Sequence, residues 1–334
     1  MKKFSSYVDK KTYETNKKIA DLQNKTKELF FYCLEKGKDA DYFKRELDKI
    51  WNKVDYSFMQ KDIEEYIEMI HAYNVEQAKF ELEVDTKEVN RKSNYALYLA
   101  GLGLIMTQLG RYKNIINSQY EASINSPGYQ NNKYEYLKLK VPKYNSQTVP
   151  YYNKYGVPIR EVKFSTYSAM VENTNLTRSA WNTTLNDADL LGADKFYIPF
   201  HLFSCEHCRE YQGRILSREE VNTHLGLEGE QEGDILHPNC KCSLLIYWGG
   251  NVRIDHRYTN EELEEQYNIR QKVNSLTLRK SELLTDRRIY KKLGAEDQID
   301  ETNKKIRGIN SKIKDLQAQL PTEEMRKEVV AINR

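Results

Sequence analysis

Cys205-Glu206-His207-Cys208 and, after 28 intervening residues, His237-Pro238-Asn239-Cys240-Lys241-Cys242 together hold four of the chain's five cysteines. A tetrahedral zinc ion asks for four nitrogen or sulfur ligands, commonly offered as two close pairs that the fold brings together. Cys205 and Cys208 make one pair at Cys-x-x-Cys spacing, and His237 and Cys240 make the other at the same spacing. The expected ligands of a structural Zn²⁺ are therefore Cys205, Cys208, His237 and Cys240, with Cys242 as substitute. Between the clusters lie Glu219, Glu220, Glu228, Glu230, Glu232 and Asp234 with Gly226, Gly229 and Gly233. Such an insert buries little apolar surface, and a metal closing its ends would replace the missing core. Its acidity argues against a grip on DNA phosphates.

Other uses of the cysteines are open. They could stand as structural thiols without metal. Disulfides need an oxidising compartment, and Met1-Lys2-Lys3-Phe4-Ser5-Ser6 leads into Lys10, Lys11, Glu14, Lys17 and Lys18 with no apolar stretch, so no cleaved export signal is expected. A Cys-x-x-Cys redox centre wants a thioredoxin-like βαβ setting, which the pattern lacks. A zinc deaminase would carry His-x-Glu ahead of its Pro-Cys-x-x-Cys, and the order here is reversed. A zinc hydrolase would need His207, His224 or an acidic residue of the insert beside an open metal position. Four protein ligands leave no such position. With no paired nucleophile and base and no Gly-rich phosphate loop, no enzyme and no small-molecule substrate are expected.

Working outward, Tyr167, Met170, Val171, Leu176, Trp181, Leu185 and Ala188 suit an amphipathic helix or helix pair ended by Leu190-Leu191-Gly192-Ala193. Lys195-Phe196-Tyr197-Ile198-Pro199-Phe200 and Ser243-Leu244-Leu245-Ile246-Tyr247-Trp248 read as short strands. Ahead of this centre, Ile19, Leu22, Leu29, Phe30 and Cys33 share a helical face, with Lys17, Lys18, Asp21, Lys25, Lys27 and Glu28 on the remainder. Leu47, Ile50, Trp51 and Val54 repeat the pattern, as do Ile63, Ile67 and Ile70, whose helix would be acidic outside through Asp62, Glu64, Glu65 and Glu68. Residues 93–110 carry no charge but fall short of a membrane span, so a buried helix is expected, with Gly101 and Gly103 allowing close packing. Beyond the centre, Ile299, Thr302, Ile306, Ile309, Ile313, Leu316 and Leu320 keep a/d spacing, and Ile269, Val273, Leu276, Leu283 and Tyr290 follow the same rhythm. With Leu293-Gly294-Ala295 between them, two antiparallel helices of about 30 and 25 residues are expected.

Residues 127–163 are different. Tyr129, Tyr134, Tyr136, Tyr144, Tyr151, Tyr152 and Tyr155 alternate with Lys133, Lys138, Lys140, Lys143 and Lys154. Basic residues interleaved with aromatics can track a phosphate backbone and stack on bases, which makes Lys138, Lys140, Lys143 and Lys154 candidate nucleic-acid contacts. The competing reading is a linker whose tyrosines cover neighbouring helices, and Pro142 and Pro150 favour an extended connection over a helix. The chain as a whole has 52 Lys and Arg against 49 Asp and Glu, a net charge of +3 over 334 residues, which excludes a protein built globally around a polyanion. The expected fold is α+β and mostly helical: a helical arm over 1–126, a Tyr/Lys-rich linker over 127–163, a small mixed zinc-stapled domain over 164–250, and a helical hairpin over 251–334.

Tyr167-Ser168-Ala169-Met170-Val171, Thr174, Leu185-Asn186-Asp187-Ala188 and Leu191-Gly192-Ala193-Asp194-Lys195-Phe196 lead into Cys205-x-x-Cys208, Tyr211-Gln212-Gly213-Arg214-Ile215 and the closing His237-Pro238-Asn239-Cys240-Lys241-Cys242. This order resembles the phage minor head protein family, the Mu F-like head morphogenesis and minor capsid proteins, over residues 164–247. Asn173-Thr174 stands where many members carry Arg-Thr, and Cys242 occupies the variable last position of the closing motif. The resemblance implies a virion protein in few copies near the portal vertex inside the head, assembled in the host cytoplasm. It implies as partners a portal protein, scaffold or major capsid protein and packaged DNA, and roles in procapsid assembly, DNA packaging or ejection. A DNA-binding ejection or protection protein is the alternative.

Overall fold

The computed structural model describes residues 2–81, 92–144, 148–152, 157–200, 206–224, 240–249 and 259–323. In chain order these form α1 (Lys2–Glu35), α2 (Ala40–Trp51), α3 (Ser57–Glu81), α4 (Lys92–Ile124), α5 (Pro127–Asn131), α6 (Lys133–Lys143), β1 (Thr148–Tyr152), β2 (Pro158–Lys163) and α7 (Phe164–Leu191). There follow β3 (Lys195–Tyr197), α8 (Glu206–Arg209), β4 (Ile215–Ser217), α9 (Arg218–His224), β5 (Leu245–Ile246), α10 (Asn260–Leu293) and α11 (Glu296–Ala318). The fold is α+β and mostly helical, as the scarcity of helix breakers implies. The compact units are not consecutive segments, in contrast to the four stretches expected. Unit 1 comprises 1–14, 56–104 and 169–270, and unit 2 comprises 15–55, 105–168 and 271–334.

In unit 1, α3 buries Met59, Ile63, Tyr66, Ile67 and Ile70, and α7 buries Leu176, Ala180, Trp181 and Leu185. The small sheet has order β4-β3-β5 and is antiparallel throughout, with Phe196 paired to Leu216 on one side and Ile246 on the other. Both expected strands are therefore present, in shortened form. The expected helix or helix pair is one helix, ending at Gly192 with Ala193 N–H donating to the Ala188 carbonyl at 2.9 Å. Asp62 is not on an exposed acidic face. It is buried, with Lys11 Nζ at 2.5 Å and the Tyr7 hydroxyl donating to its carbonyl at 3.0 Å.

Helix α4 is buried along one side rather than all round. Tyr98, Ile105 and Leu109 are covered, while Leu99, Leu104 and Met106 are 47%, 53% and 48% exposed. Among the described residues no helix is long and apolar enough to cross a membrane. A Cβ at Gly101 would stand 1.9 Å from Asn175 Nδ2, so glycine here leaves room for the Asn175 side chain of α7 as it lies, whereas Gly103 faces open space.

Unit 2 is organised by aromatic packing. The Phe30 ring lies 4.9 Å from Tyr144, 5.4 Å from Tyr120 and 5.7 Å from Phe43, and Trp51 lies 5.4 Å from Tyr112 and 5.7 Å from Phe164. Cys33 belongs to this core, where burial pushes its thiol up to about 12. Lys27, expected on the polar remainder of α1, is buried as an ion pair with Asp286 of α10. The expected turn between α10 and α11 is present. Gly294 takes φ 66°, and Ala295 N–H reaches back to the Tyr290 carbonyl at 3.0 Å, which satisfies a helix-end acceptor in a conformation that suits glycine. Arg287 Nη1 donates to Asn303 Oδ1 at 3.2 Å across the hairpin.

The stretch expected as an extended linker contains structure. Asn132 caps α6 by accepting from Glu135 N–H at 3.2 Å, and Pro142 fits within its last turn. β1 and β2 pair antiparallel from Thr148↔Lys163 to Tyr152↔Pro158. Two of its tyrosines, Tyr129 and Tyr144, are buried against neighbouring helices. Tyr144 joins the Phe30 cluster, and the buried Tyr129 hydroxyl donates to the Leu34 carbonyl at 2.6 Å.

Candidate metal centre

The described part of the closing motif and the two residues after it, 240–244, carry no regular secondary structure and are buried except for the half-buried Lys241, and α7 meets them through side chains. Asn173 Nδ2 and Thr177 Oγ1 donate to the Cys240 carbonyl at 2.8 and 2.9 Å. Trp181 Nε1 donates to the Cys242 carbonyl at 2.6 Å, and Thr184 Oγ1 to the Leu244 carbonyl at 2.8 Å. The carbonyls of the alternate residues 240, 242 and 244 all face α7, and positions 173, 177, 181 and 184 form one stripe on a helix. The stripe therefore satisfies three alternate carbonyls of this segment. Buried carbonyls left alone would each cost about 1–3 kcal/mol. Opposite, the Tyr66 hydroxyl and Ser243 Oγ lie 3.0 Å apart, and burial holds the Tyr66 phenol above its ordinary range.

So held, Cys240 and Cys242 lie beside Cys208, which α8 presents. The three thiols are buried and outside any disulfide, and their Sγ atoms all lie within 4.8 Å of one another, with Cys208 and Cys240 at 3.5 Å. Four sulfurs around one Zn²⁺ at a bond length of about 2.3 Å would stand about 3.8 Å apart. The observed separations fit sulfur ligands of a single metal ion, and buried soft thiols suit zinc. Cys242, ranked behind the other four, thus stands in the group. Cys205 and His237 lie outside the described residues, as does Lys154.

Charge around the thiols is arranged as well. Lys241, between the two cysteines, turns its ammonium to Asp9 Oδ1 of α1, and Arg270 Nη1 of α10 lies 2.7 Å from Asp9 Oδ2. Burial alone would raise the Asp9 carboxyl. Arg270 and Lys241 outweigh it and hold the group below the usual carboxylate range. Further along α7, Asp187 of the Leu185-Asn186-Asp187-Ala188 stretch is buried and accepts from Asn74 Nδ2 at 2.8 Å, with His71 Nδ1 also at 2.8 Å.

Sequence reading missed the α7 stripe, although Asn173, Thr177, Trp181 and Thr184 at intervals of four, four and three carry a helical period in donors rather than in apolar residues. The lysine candidates fare differently. Lys138 and Lys140 lie on one helix about 200° apart at about 100° per residue, and Lys138 is engaged by Glu135 at 3.3 Å and by the Tyr134 ring at 5.2 Å. Lys143 lies in the same helix's last turn, nearer to Lys140 in azimuth. Compared with known protein families, with curated proteins and with solved structures, the chain matches none.

Proposed function

We propose that this chain is a structural component of a phage head, of the minor head protein kind, in which one Zn²⁺ staples unit 1. Cys208, Cys240 and Cys242 hold the ion, and Cys205 or His237 supplies the fourth ligand. The ion's contribution is a cross-link that ties the α8 turn to residues 240–244, with no catalytic role. The observation that carries the metal reading is the buried triad of thiols within 4.8 Å of one another. The head-protein reading is supported by the order Cys205-x-x-Cys208, Tyr211-Gln212-Gly213-Arg214-Ile215 and His237-Pro238-Asn239-Cys240-Lys241-Cys242. Long helices with exposed apolar residues such as Leu99 and Leu104 offer docking surface for a portal, scaffold or major capsid protein.

Native mass spectrometry of the intact chain tests the metal. One zinc per chain is expected, and Cys208→Ser, Cys240→Ser and Cys242→Ser each lose it. Stoichiometric metal retained in all three would overturn the ligand set, while its loss in Cys205→Ser or in His237→Ala would identify the fourth ligand. Proteomics of purified particles tests the location. The chain is expected at a few copies per major capsid assembly, and its absence from particles would remove the head-protein reading.

A further inference from the structure

Three residues in the first turns of α1 converge on residues 240–243. The Asp9 carboxylate pairs with the ammonium of Lys241, the residue between two thiols of the metal site. Thr12 Oγ1 lies 3.3 Å from Asn173 Oδ1, and the amide nitrogen of the same Asn173 donates to the Cys240 carbonyl. The Tyr7 ring stacks on Tyr66 at 5.3 Å, and the Tyr66 hydroxyl bonds Ser243. Each tie ends on the backbone or side chain of a segment whose position two cysteines would fix once they share an ion. Without that bond, residues 240–243 keep the α7 stripe but lose the anchor to Cys208 and α8.

We infer that metal occupancy of the thiol site governs how firmly the first turns of α1 are seated, with Lys241 and Asn173 as the relays. This rests on the metal reading above. Asp9 is the sensitive point. It is buried, and its two cations come from different elements, Arg270 on α10 and Lys241 beside the thiols. If Lys241 shifts, the carboxylate keeps one partner of two in a place where water cannot replace the other. Tyr7 and Lys11 keep independent bonds to Glu65 and Asp62 of α3, so metal loss should loosen this end of α1 rather than unfold it.

Amide hydrogen exchange on the full chain tests the inference, with metal content measured on each sample. The chain is compared as purified with zinc, after chelation, and after zinc is restored. Peptides spanning 7–14 are expected to exchange about tenfold faster after chelation and to recover with zinc, the signature of a local opening. Peptides over 62–70 of α3 change far less. In Lys241→Met, which keeps all the thiols, zinc still binds, but its effect on 7–14 falls at least about threefold. Unchanged exchange at 7–14 despite confirmed metal loss overturns the inference and leaves the metal reading intact. Equal loss of protection in 62–70 also overturns it, because unit 1 would then be melting as a whole. So does a full zinc response in Lys241→Met. A wild-type chain that takes up no zinc removes the metal reading itself, and the measured metal content distinguishes that failure from the others.

Discussion

The two units bury their interiors with different chemistry. In unit 2, Phe30, Phe43, Tyr120 and Tyr144 pack ring against ring, and Trp51 wedges against Tyr112 and Phe164. In unit 1, the closing segment is held by directional donors: Asn173, Thr177, Trp181 and Thr184 to carbonyls, and Lys241 and Arg270 to Asp9. Apolar packing scales with area and tolerates small shifts. Hydrogen bonds to buried groups either form with good geometry or leave a penalty. A region of the second kind gains most from a cross-link that fixes positions, and the thiols stand in that region.

The sharpest way to break this contrast is to remove the largest aromatic side chain of unit 2. Trp51 is 1% exposed, and its Nε1 also donates to Thr26 Oγ1 at 2.9 Å. Trp51→Ala should cost about 3–5 kcal/mol through lost transfer energy and a cavity. Chemical denaturation will measure it, and the zinc content of the folded fraction should match that of the unaltered chain. A loss of metal with the aromatic core would mean that the two chemistries are not separable.

Unit 2 holds a buried ion pair of its own, Lys27–Asp286, with each side chain 3% exposed. Burial pushes the Lys27 ammonium below its usual range, and Asp286 only partly offsets this. Lys27→Met should cost about 3–4 kcal/mol because it strands a buried carboxylate. Lys27→Met with Asp286→Leu should recover to within about 1 kcal/mol of the original, since a buried pair can be replaced by apolar groups at little cost. A denaturant series on both variants decides. If the double variant is as unstable as the single one, the ion pair is integral to unit 2, and the contrast between the units weakens.

The same pair shows where sequence reading stops. Apolar periodicity located α1, α2, α3, α7, α10 and α11, and the Leu293-Gly294-Ala295 break lies at the observed turn because a left-handed residue at a helix end has a residue signature. Lys27 and Asp62 were assigned to solvent because helical phase reports which face a residue occupies and not whether a partner lies 259 or 51 positions away. The thiol cluster was legible because metal ligands come from few residue types at short spacings, and Cys208 and Cys240 do lie together. Cys242, expected as the substitute ligand, also stands beside Cys208 and Cys240; spacing counts ligands but does not orient them. The α7 stripe was hidden because its donors, an amide, two hydroxyls and an indole, share no hydropathy. Pro142 and Pro150 misled over residues 127–163, since proline is tolerated at the end of a helix and in an edge strand.

The single substitution with the smallest expected change in stability is also the most discriminating, because it removes one hydrogen-bond donor and keeps an aromatic ring in the core. Trp181 is fully buried like Trp51, but its Nε1 donates to the Cys242 carbonyl at 2.6 Å. Trp181→Phe keeps an aromatic ring in place and removes the donor. The stranded carbonyl should cost about 1–3 kcal/mol. If the stripe positions the thiols, as partners behind metal ligands do elsewhere, zinc affinity should fall by about 10–100-fold, read by competition with a chromophoric chelator. Should stability fall with affinity unchanged, the indole only fills space, and the thiols owe their geometry to other contacts. A fall in both would place the Cys242 carbonyl, and with it the donor period of α7, among the features that build the metal centre.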